Sequence, residues 1–305
     1  MIQVRARRPP SAASSSRLLS GVAESSIMSI ELPEARILAE KLNETIVGKV
    51  IREYDLQDVD SMMKIGFVNN ELSEFKPILG KTVESAASRG NTIKVKLTGS
   101  MNLLIAPEYG GVITYIEEGA IPKYHLKLGF RDGSALTVRI TSMGVIYAVH
   151  DEELEDSYMY RRDFLGGVSP DEPAFTWEWF NETFGSENKQ LKPLIVGKDA
   201  HLIGLSNAAF QDIIYRAGLH PKRRASELTG TELHLLYDSI KFVVEERLKQ
   251  GGKDDFTDIH GVQGRYVPAM GSNMNGKNCP RCGTKIEKIA HGGGSVYLCP
   301  KCQQV

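Results

Sequence analysis

The sequence predicts an α+β protein of several domains, and three features of its 305 residues predict it. Between Lys49 and His150 apolar and polar positions alternate between Gly- and Asp-marked turns, as short antiparallel strands require. From Thr176 the apolar positions recur at helical spacing. All four cysteines fall in the last 27 residues, as two Cys-Pro-Xaa-Cys knuckles separated by sixteen residues. A chain of this length predicts about two domains plus a small terminal module. With 41% hydrophobic and 25% charged residues, the composition is that of a soluble globular protein. No apolar run nears the ~20 residues that span a bilayer, so no membrane role is expected. Cysteines gathered in one cluster point to a reducing compartment, and the expected location is cytoplasmic.

Residues 1–27 differ from the rest: they hold Arg5, Arg7, Arg8 and Arg17, many Ser and Ala, and one acid, Glu24. The composition is like that of a transit peptide, which leaves organelle targeting open, but the apolar stretch is too short for a secretory signal. An over-long start is the preferred reading, with Met28 as the first residue of an ordered domain spanning 28–150. There Glu31-Leu32-Pro33-Glu34 opens a helix: Pro33 suits its first turn, and both glutamates complement the positive end of its dipole. Ala35, Leu38, Leu42 and Ile46 give its apolar face, and Gly48 ends it. The two carboxylates read either as capping groups or as acid/base groups near a free amine. Thr92–Leu97, Tyr124–Leu128 and Ala135–Ile140 are strands of an antiparallel sandwich or barrel.

Residues 151–175 read as a linker and 176–254 as a helical domain. Leu202, Leu205, Ala209, Ile213 and Ala217 form one stripe, stopped by Gly218. Thr229-Gly230-Thr231-Glu232 is a capping box ahead of Leu233, Leu236, Ile240 and Val243. The basic turn Lys222-Arg223-Arg224 lies between these helices and suits phosphate, as does Arg89 on its turn; an ordinary solvated surface is the plain alternative for each. Trp177 and Trp179 read as core packing, and His201 and His234 as helix-surface residues.

Residues 255–305 form a Gly/Asn-rich lead-in and a hairpin. Cys279, Cys282, Cys299 and Cys302 supply the four thiolates of one closed structural zinc site; two disulfides or four free thiols are the alternatives. Lys285–Ile289 and Val296–Leu298 read as its strands, joined by a turn over His291–Ser295. Such a unit is too small to fold without metal. From Gly271 onward there are five cationic residues, Lys285 and Lys288 among them, against one acid, in a chain of net charge −1. A basic ribbon suits a phosphate backbone.

Three of these motifs occur in one order: Glu31–Glu34 near a start, Ile203–Asn207 followed by Ala217–Pro221, and Cys-Pro-Arg-Cys-Gly-Thr-Lys-Ile-Glu-Lys leading to Cys-Pro-Lys-Cys-Gln. From Met28 to Gln303 the chain resembles the formamidopyrimidine-DNA glycosylase / endonuclease VIII family. The resemblance implies an N-terminal antiparallel β-sandwich with a leading helix, a helix–two-turn–helix domain and a zinc ribbon. It implies a monomer that binds double-stranded DNA carrying a damaged base or abasic site, excises an oxidised base, and cuts the abasic strand through an imine on an N-terminal proline. Glu31 matches the proton-shuttling glutamate, Glu34 the second glutamate, and Asn207 the phosphate-binding asparagine. The chain departs from the pattern at three positions. Ile30 stands where the proline is expected, Asn91 where the lysine of an Arg-Gly-Lys turn is expected, and Gly294 where an arginine at the hairpin tip is expected. Tyr109-Gly110-Gly111 aligns with the family's Met-Ser-Gly wedge. A Ser29 amine is the remaining candidate imine former. The expected activity is therefore base excision with weak or absent imine-based strand cleavage; the alternative is a catalytically deficient protein that binds damaged DNA. A structural zinc protein with no DNA role is a third possibility.

Overall fold

The computed structural model describes residues 29–305, so the expectations for residues 1–27 and for Met28 lie outside the described residues. The leading helix spans Leu32–Ile46 with Glu31 as its N-cap and Pro33 in its first turn. It buries the predicted stripe of Ala35, Leu38, Leu42 and Ile46.

Six antiparallel strands follow: β1 (Ile51–Leu56), β2 (Val83–Arg89), β3 (Thr92–Leu97), β4 (Met101–Ile116), β5 (Leu126–Phe130) and β6 (Ala135–His150). They form one sheet in the order β1-β5-β6-β4-β3-β2. β4 and β6 pair in two stretches, Met101–Ala106 with Val145–His150 and Gly111–Ile116 with Ala135–Ile140, separated by register shifts around Tyr109. β3 joins the first stretch and β5 the second, so the irregularity divides the sheet into two halves. The outer edges come round to meet at the isolated bridge between Val50 and Thr82. One core takes Ile93, Val95 and Leu103 from one half and Ile113, Leu126 and Val138 from the other. The expected two-layered β domain is thus a single continuous sheet turned back on itself.

The expected linker is ordered. A 3-10 turn (Asp151–Asp156) and short helical turns over Tyr158–Leu165 lead away from the sheet, and Val168 pairs with Leu202. The helical domain contains helices Trp177–Gly185, Leu191–Ile195, Asn207–Arg216 and Gly230–Lys249. The predicted stripe starts earlier than its helix: Leu202 and Leu205 lie in the preceding loop, because Ser206 caps the helix by accepting from the Ala208 amide. Thr229 and Glu232 form the predicted capping box. Trp177 and Trp179 pack among Phe175, Phe180, Phe184 and Tyr237, as expected. His201 pairs with Glu187, and His234 with Asp238. Phe256 and Ile259, just past the long helix, return to the core of the β lobe.

The terminal hairpin is β7 (Glu287–His291) and β8 (Gly294–Leu298). Its turn is shorter than expected. His291 pairs with Gly294, leaving only Gly292 and Gly293 between the strands, both at positive φ. That backbone suits a two-residue hairpin turn and favours glycine at both positions.

Candidate active site and nucleic-acid interface

The two N-terminal glutamates meet a cation supplied from 213 residues away in sequence: the Arg247 Nε donates to Glu34 Oε1 at 3.1 Å. The Arg247 guanidinium also pairs with Glu31, and all three side chains are buried. Glu31 Oε1 accepts from the amides of Ser206 (2.6 Å) and Ala209 (3.2 Å), at the N-terminus of the Asn207–Arg216 helix. A carboxylate there gains from the exposed N–H groups and the dipole. Glu34 also accepts from the amides of Lys253 (3.1 Å) and Glu31 (3.2 Å). Burial alone would raise the Glu31 pKa; Arg247, Lys253 and the Ser206 hydrogen bond outweigh it and hold the pKa at about 2. Ser29 is buried as well: its carbonyl and Oγ each accept from Lys253 Nζ at 2.9 Å, and its backbone bridges to Tyr109. The structure therefore places Glu31, Glu34 and Ser29 behind the wall of the nearest cavity rather than on it.

That cavity, about 430 Å³, opens between the two lobes, with Ile30, Asn91, Glu108, Tyr109 and Arg162 on one side and the Leu202–Ser206 loop on the other. Glu108 Oε1 accepts from Arg162 Nη1 (2.7 Å) and Asn91 Nδ2 (3.1 Å). Arg162 also binds both oxygens of Asp163, at 2.6 and 2.8 Å, and donates to the Asn91 side-chain oxygen Oδ1. Asp163 is sealed, and Thr92 Oγ1 donates to it at 2.5 Å. Its carboxyl occupies the space over Gly90, where an added Cβ would come within 2.7 Å of it; Gly90 also sits at positive φ. A side chain at residue 90 would thus dislodge the network. Burial would lower the Arg162 pKa, but Asp163 and Glu108 outweigh it, so the guanidinium stays charged. At the position of the expected proline, the Ile30 nitrogen is a peptide N–H donating to the Glu108 carbonyl at 2.9 Å.

The expected DNA-binding residues divide into two groups. Arg89 is taken up by Glu172 (2.7 and 2.9 Å) and by the carbonyls of Asp163, Gly166 and Gly167, so it ties the β lobe to the segment entering the helical lobe. Arg223 pairs with Glu232 at 3.2 Å, and Arg224 donates to the Asn188 carbonyl at 2.8 Å. Lys222, Lys285 and Lys288 are exposed, and Lys288 lies over the Tyr297 ring. Asn207 opens its helix and donates from Nδ2 to the Ser295 carbonyl at 2.8 Å, while its Oδ1 is buried with no partner among the described residues.

Sequence reasoning missed Lys192. Its stem is buried under the hairpin turn, and its Nζ donates to the His291 carbonyl at 2.8 Å. A Cβ added at Gly294 would lie 3.8 Å from both Lys192 Nζ and Asn207 Nδ2. A cation and an amide donor thus converge where the resemblance expects a tip arginine. Lys192 stands 102 positions before Gly294 and on a different element, so no local motif could have revealed it. Glu108 and Arg162 were missed for the same reason, although Glu108 directly precedes the Tyr109-Gly110-Gly111 stretch.

The cysteine sulfurs lie within 4.8 Å of one another. The Cys279–Cys302 and Cys282–Cys299 sulfurs are 3.9 and 3.4 Å apart, too far for disulfides of about 2.05 Å. Tetrahedral zinc, with Zn–S near 2.3 Å, puts sulfurs roughly 3.8 Å apart, and the four thiols fit it. Tyr215 reaches Cys279 Sγ at 3.2 Å, and Arg281 donates to the Tyr215 carbonyl at 2.8 Å, which joins the zinc module to the Asn207–Arg216 helix.

Comparison with known proteins agrees along the chain. The model of the formamidopyrimidine-DNA glycosylase N-terminal domain matches residues 30–141, that of its H2TH domain residues 166–257, and that of the zinc finger found in FPG and IleRS residues 276–305. Formamidopyrimidine-DNA glycosylase from Pelotomaculum thermopropionicum is 29% identical over 282 residues, covering 90% of this chain and 99% of that one. The protein of that name from Bacillus cereus is 27% identical over 281 residues, covering 90% and 98%. Among solved structures, Lactococcus lactis Fpg in complex with abasic-site DNA superimposes with a TM-score of 0.78 at 23% identity, covering 90% of this chain and all of that one. The same enzyme with DNA containing N7-benzyl-Fapy-dG gives the same TM-score. Three domain models of one family, matched in the family's order, together with relatives aligned along nearly their whole length, place this chain in the formamidopyrimidine-DNA glycosylase / endonuclease VIII family.

Proposed function

We propose that this protein is a DNA-repair glycosylase that binds duplex DNA carrying a damaged base, flips the nucleotide into the interlobe cavity and releases the base, without the family's imine-based strand cleavage. The observation that carries this reading is the cavity itself. It keeps an oriented carboxylate–guanidinium pair beside Ile30, while the position that would supply an amine holds a peptide N–H. A flipped base needs such a pocket, and a binding-only descendant would have no use for charged groups fixed at its floor. Glu31 and Glu34 act in this reading as the brace between lobes through Arg247, and Glu31, ion-paired and held near pKa 2, is a poor proton shuttle at neutral pH. Similarity to formamidopyrimidine-DNA glycosylases supports the substrate class.

Duplexes containing N7-benzyl-Fapy-dG or an oxidised pyrimidine test the reading. Base release is expected, leaving an abasic strand that breaks only on alkaline heating. Borohydride is expected to capture little protein on abasic DNA. Efficient covalent capture would return the imine route to the mechanism, and tight binding with no base release would establish the binding-only protein instead.

The same reading assigns the strand grip to Lys192 and Asn207 under the hairpin turn, with Lys222, Lys285 and Lys288 adding charge around it. Lys192→Met keeps the buried stem and removes the cation. Affinity for an abasic duplex is expected to fall about tenfold, near 1.4 kcal/mol. The slope of log affinity against log salt is expected to shrink by about one contact. A salt slope equal to wild type would remove Lys192 from the interface.

A further inference from the structure

We propose that Glu108 is the catalytic base of a hydrolytic reaction in this cavity, with Arg162 and Asn91 as the residues that position it; this rests on the glycosylase reading above. Cleavage of an N-glycosidic bond needs a group at the anomeric carbon, either a nucleophile or a base that delivers water. Among the described residues no backbone amine stands at the pocket wall, because the Ile30 nitrogen is a peptide N–H already bound to the Glu108 carbonyl. The other titratable groups lining the cavity are poor candidates. Asp163 is sealed under Gly90 by Arg162 and Thr92. Arg161 and Arg162 are guanidiniums, which stay protonated. Lys198 stands in solvent with 77% of its side chain exposed. Tyr109 and Tyr158 are phenols whose pKa values are raised, first by burial, and they remain protonated at neutral pH.

Glu108 differs from all of these. Its side chain is 12% exposed, open enough to meet a ligand yet shielded enough to act. Both of its donors use the same oxygen, Oε1, and Oε2 has no donor among the described residues. A carboxylate fixed through one oxygen by a guanidinium and an amide presents the other in a set direction. Arg162 is itself fixed by Asp163, so the orientation is held from two sides.

The step balances as an addition of water. A water O–H proton passes to Glu108 Oε2 as the water oxygen bonds to C1′. The C1′–N bond breaks, its electron pair leaves with the base nitrogen, and that nitrogen ends with the proton Glu108 took up. No bond to the protein forms, and one water is consumed for each base released. The negative Glu108 also faces the cationic character that develops on the sugar, a second source of stabilisation.

Glu108→Gln tests the assignment, because the amide keeps an oxygen for Arg162 and loses the base. Single-turnover base release from the lesion duplexes is expected to fall at least about 100-fold. Affinity for a duplex carrying a tetrahydrofuran abasic analogue is expected to stay within about twofold, a combination that a merely structural role would not give. Base release at the wild-type rate in this variant overturns the assignment while leaving the glycosylase reading intact. A wild-type protein that releases no base sinks both. Should Glu108→Gln also lose binding, Glu108→Ala with added formate decides, read on protein that melts like wild type. Recovery of base release with formate supports Glu108 as the base, and no recovery overturns it.

Discussion

Replacing Arg247 by methionine is expected to cost about 3–5 kcal/mol of stability, because it leaves Glu31 and Glu34 buried without the guanidinium that pairs with both. Against a typical total of about 5–15 kcal/mol, that is enough to unfold a sizeable fraction at 37 °C. Urea titration of the two proteins reads the difference directly. The pH dependence supplies a second signature. In the folded protein Glu31 has a pKa of about 2 against an ordinary 4.5, so its contribution is complete above about pH 4.5. The contribution is lost as the pH falls towards 2. Wild-type stability is expected to decline through that window. In Arg247→Met Glu31 loses the partner that most favours its ionised form, so the decline should flatten. A triple change, Glu31→Gln with Glu34→Gln and Arg247→Met, is expected to recover much of the loss, since it removes the orphaned charges. Equal stability of Arg247→Met and wild type at pH 7 would show that the cluster braces nothing.

Removing zinc is expected to have the other large effect, and a different one. The two lobes keep cores built without cysteine side chains, whereas the small cluster of Tyr215, Met270, Ile286 and Tyr297 closes around Cys279 and Cys299. Structural zinc contributes roughly 10–16 kcal/mol of binding free energy in isolated modules of this kind. Chelation, or Cys282→Ser, should therefore open residues 276–305 to trypsin while the β lobe and the long helices stay protected. Binding to an abasic duplex is expected to fall at least about 100-fold, because Lys192 and Asn207 lose the turn that holds them. Full affinity retained by chelated, proteolytically open protein would separate the ribbon from the DNA face.

Local chemistry explains what could be read from the sequence. Cysteine spacing, the Thr229–Glu232 capping box and the alternation in Thr92–Leu97 each report on neighbours within a few residues, and each appears in the structure as expected. Long-range pairing was not legible. Glu31 and Glu34 read either as caps or as acid/base groups, and neither reading could show that both share an arginine more than 200 positions away. Arg89 looked like an exposed turn cation until Glu172 and three carbonyls surrounded it. The resemblance drew attention to what the chain lacks at Ile30, Asn91 and Gly294. It could not show that Glu108 and Arg162 come to lie beside two of those positions, or Lys192 beneath the third.

The Arg247 cluster does not stand alone. Arg36 reaches Asp171, and Arg89 reaches Glu172, so among the described residues three separate ionic latches join the leading helix and sheet to the helical half. One of the three is out of reach of water and salt. These latches oppose a change in the jaw width of the cleft, so in the proposed reaction it is the nucleic acid that is expected to deform. Loading should then speed up on flexible, nicked or mismatched strands and slow on stiff A-tracts, making DNA pliancy an early filter on which sites are inspected.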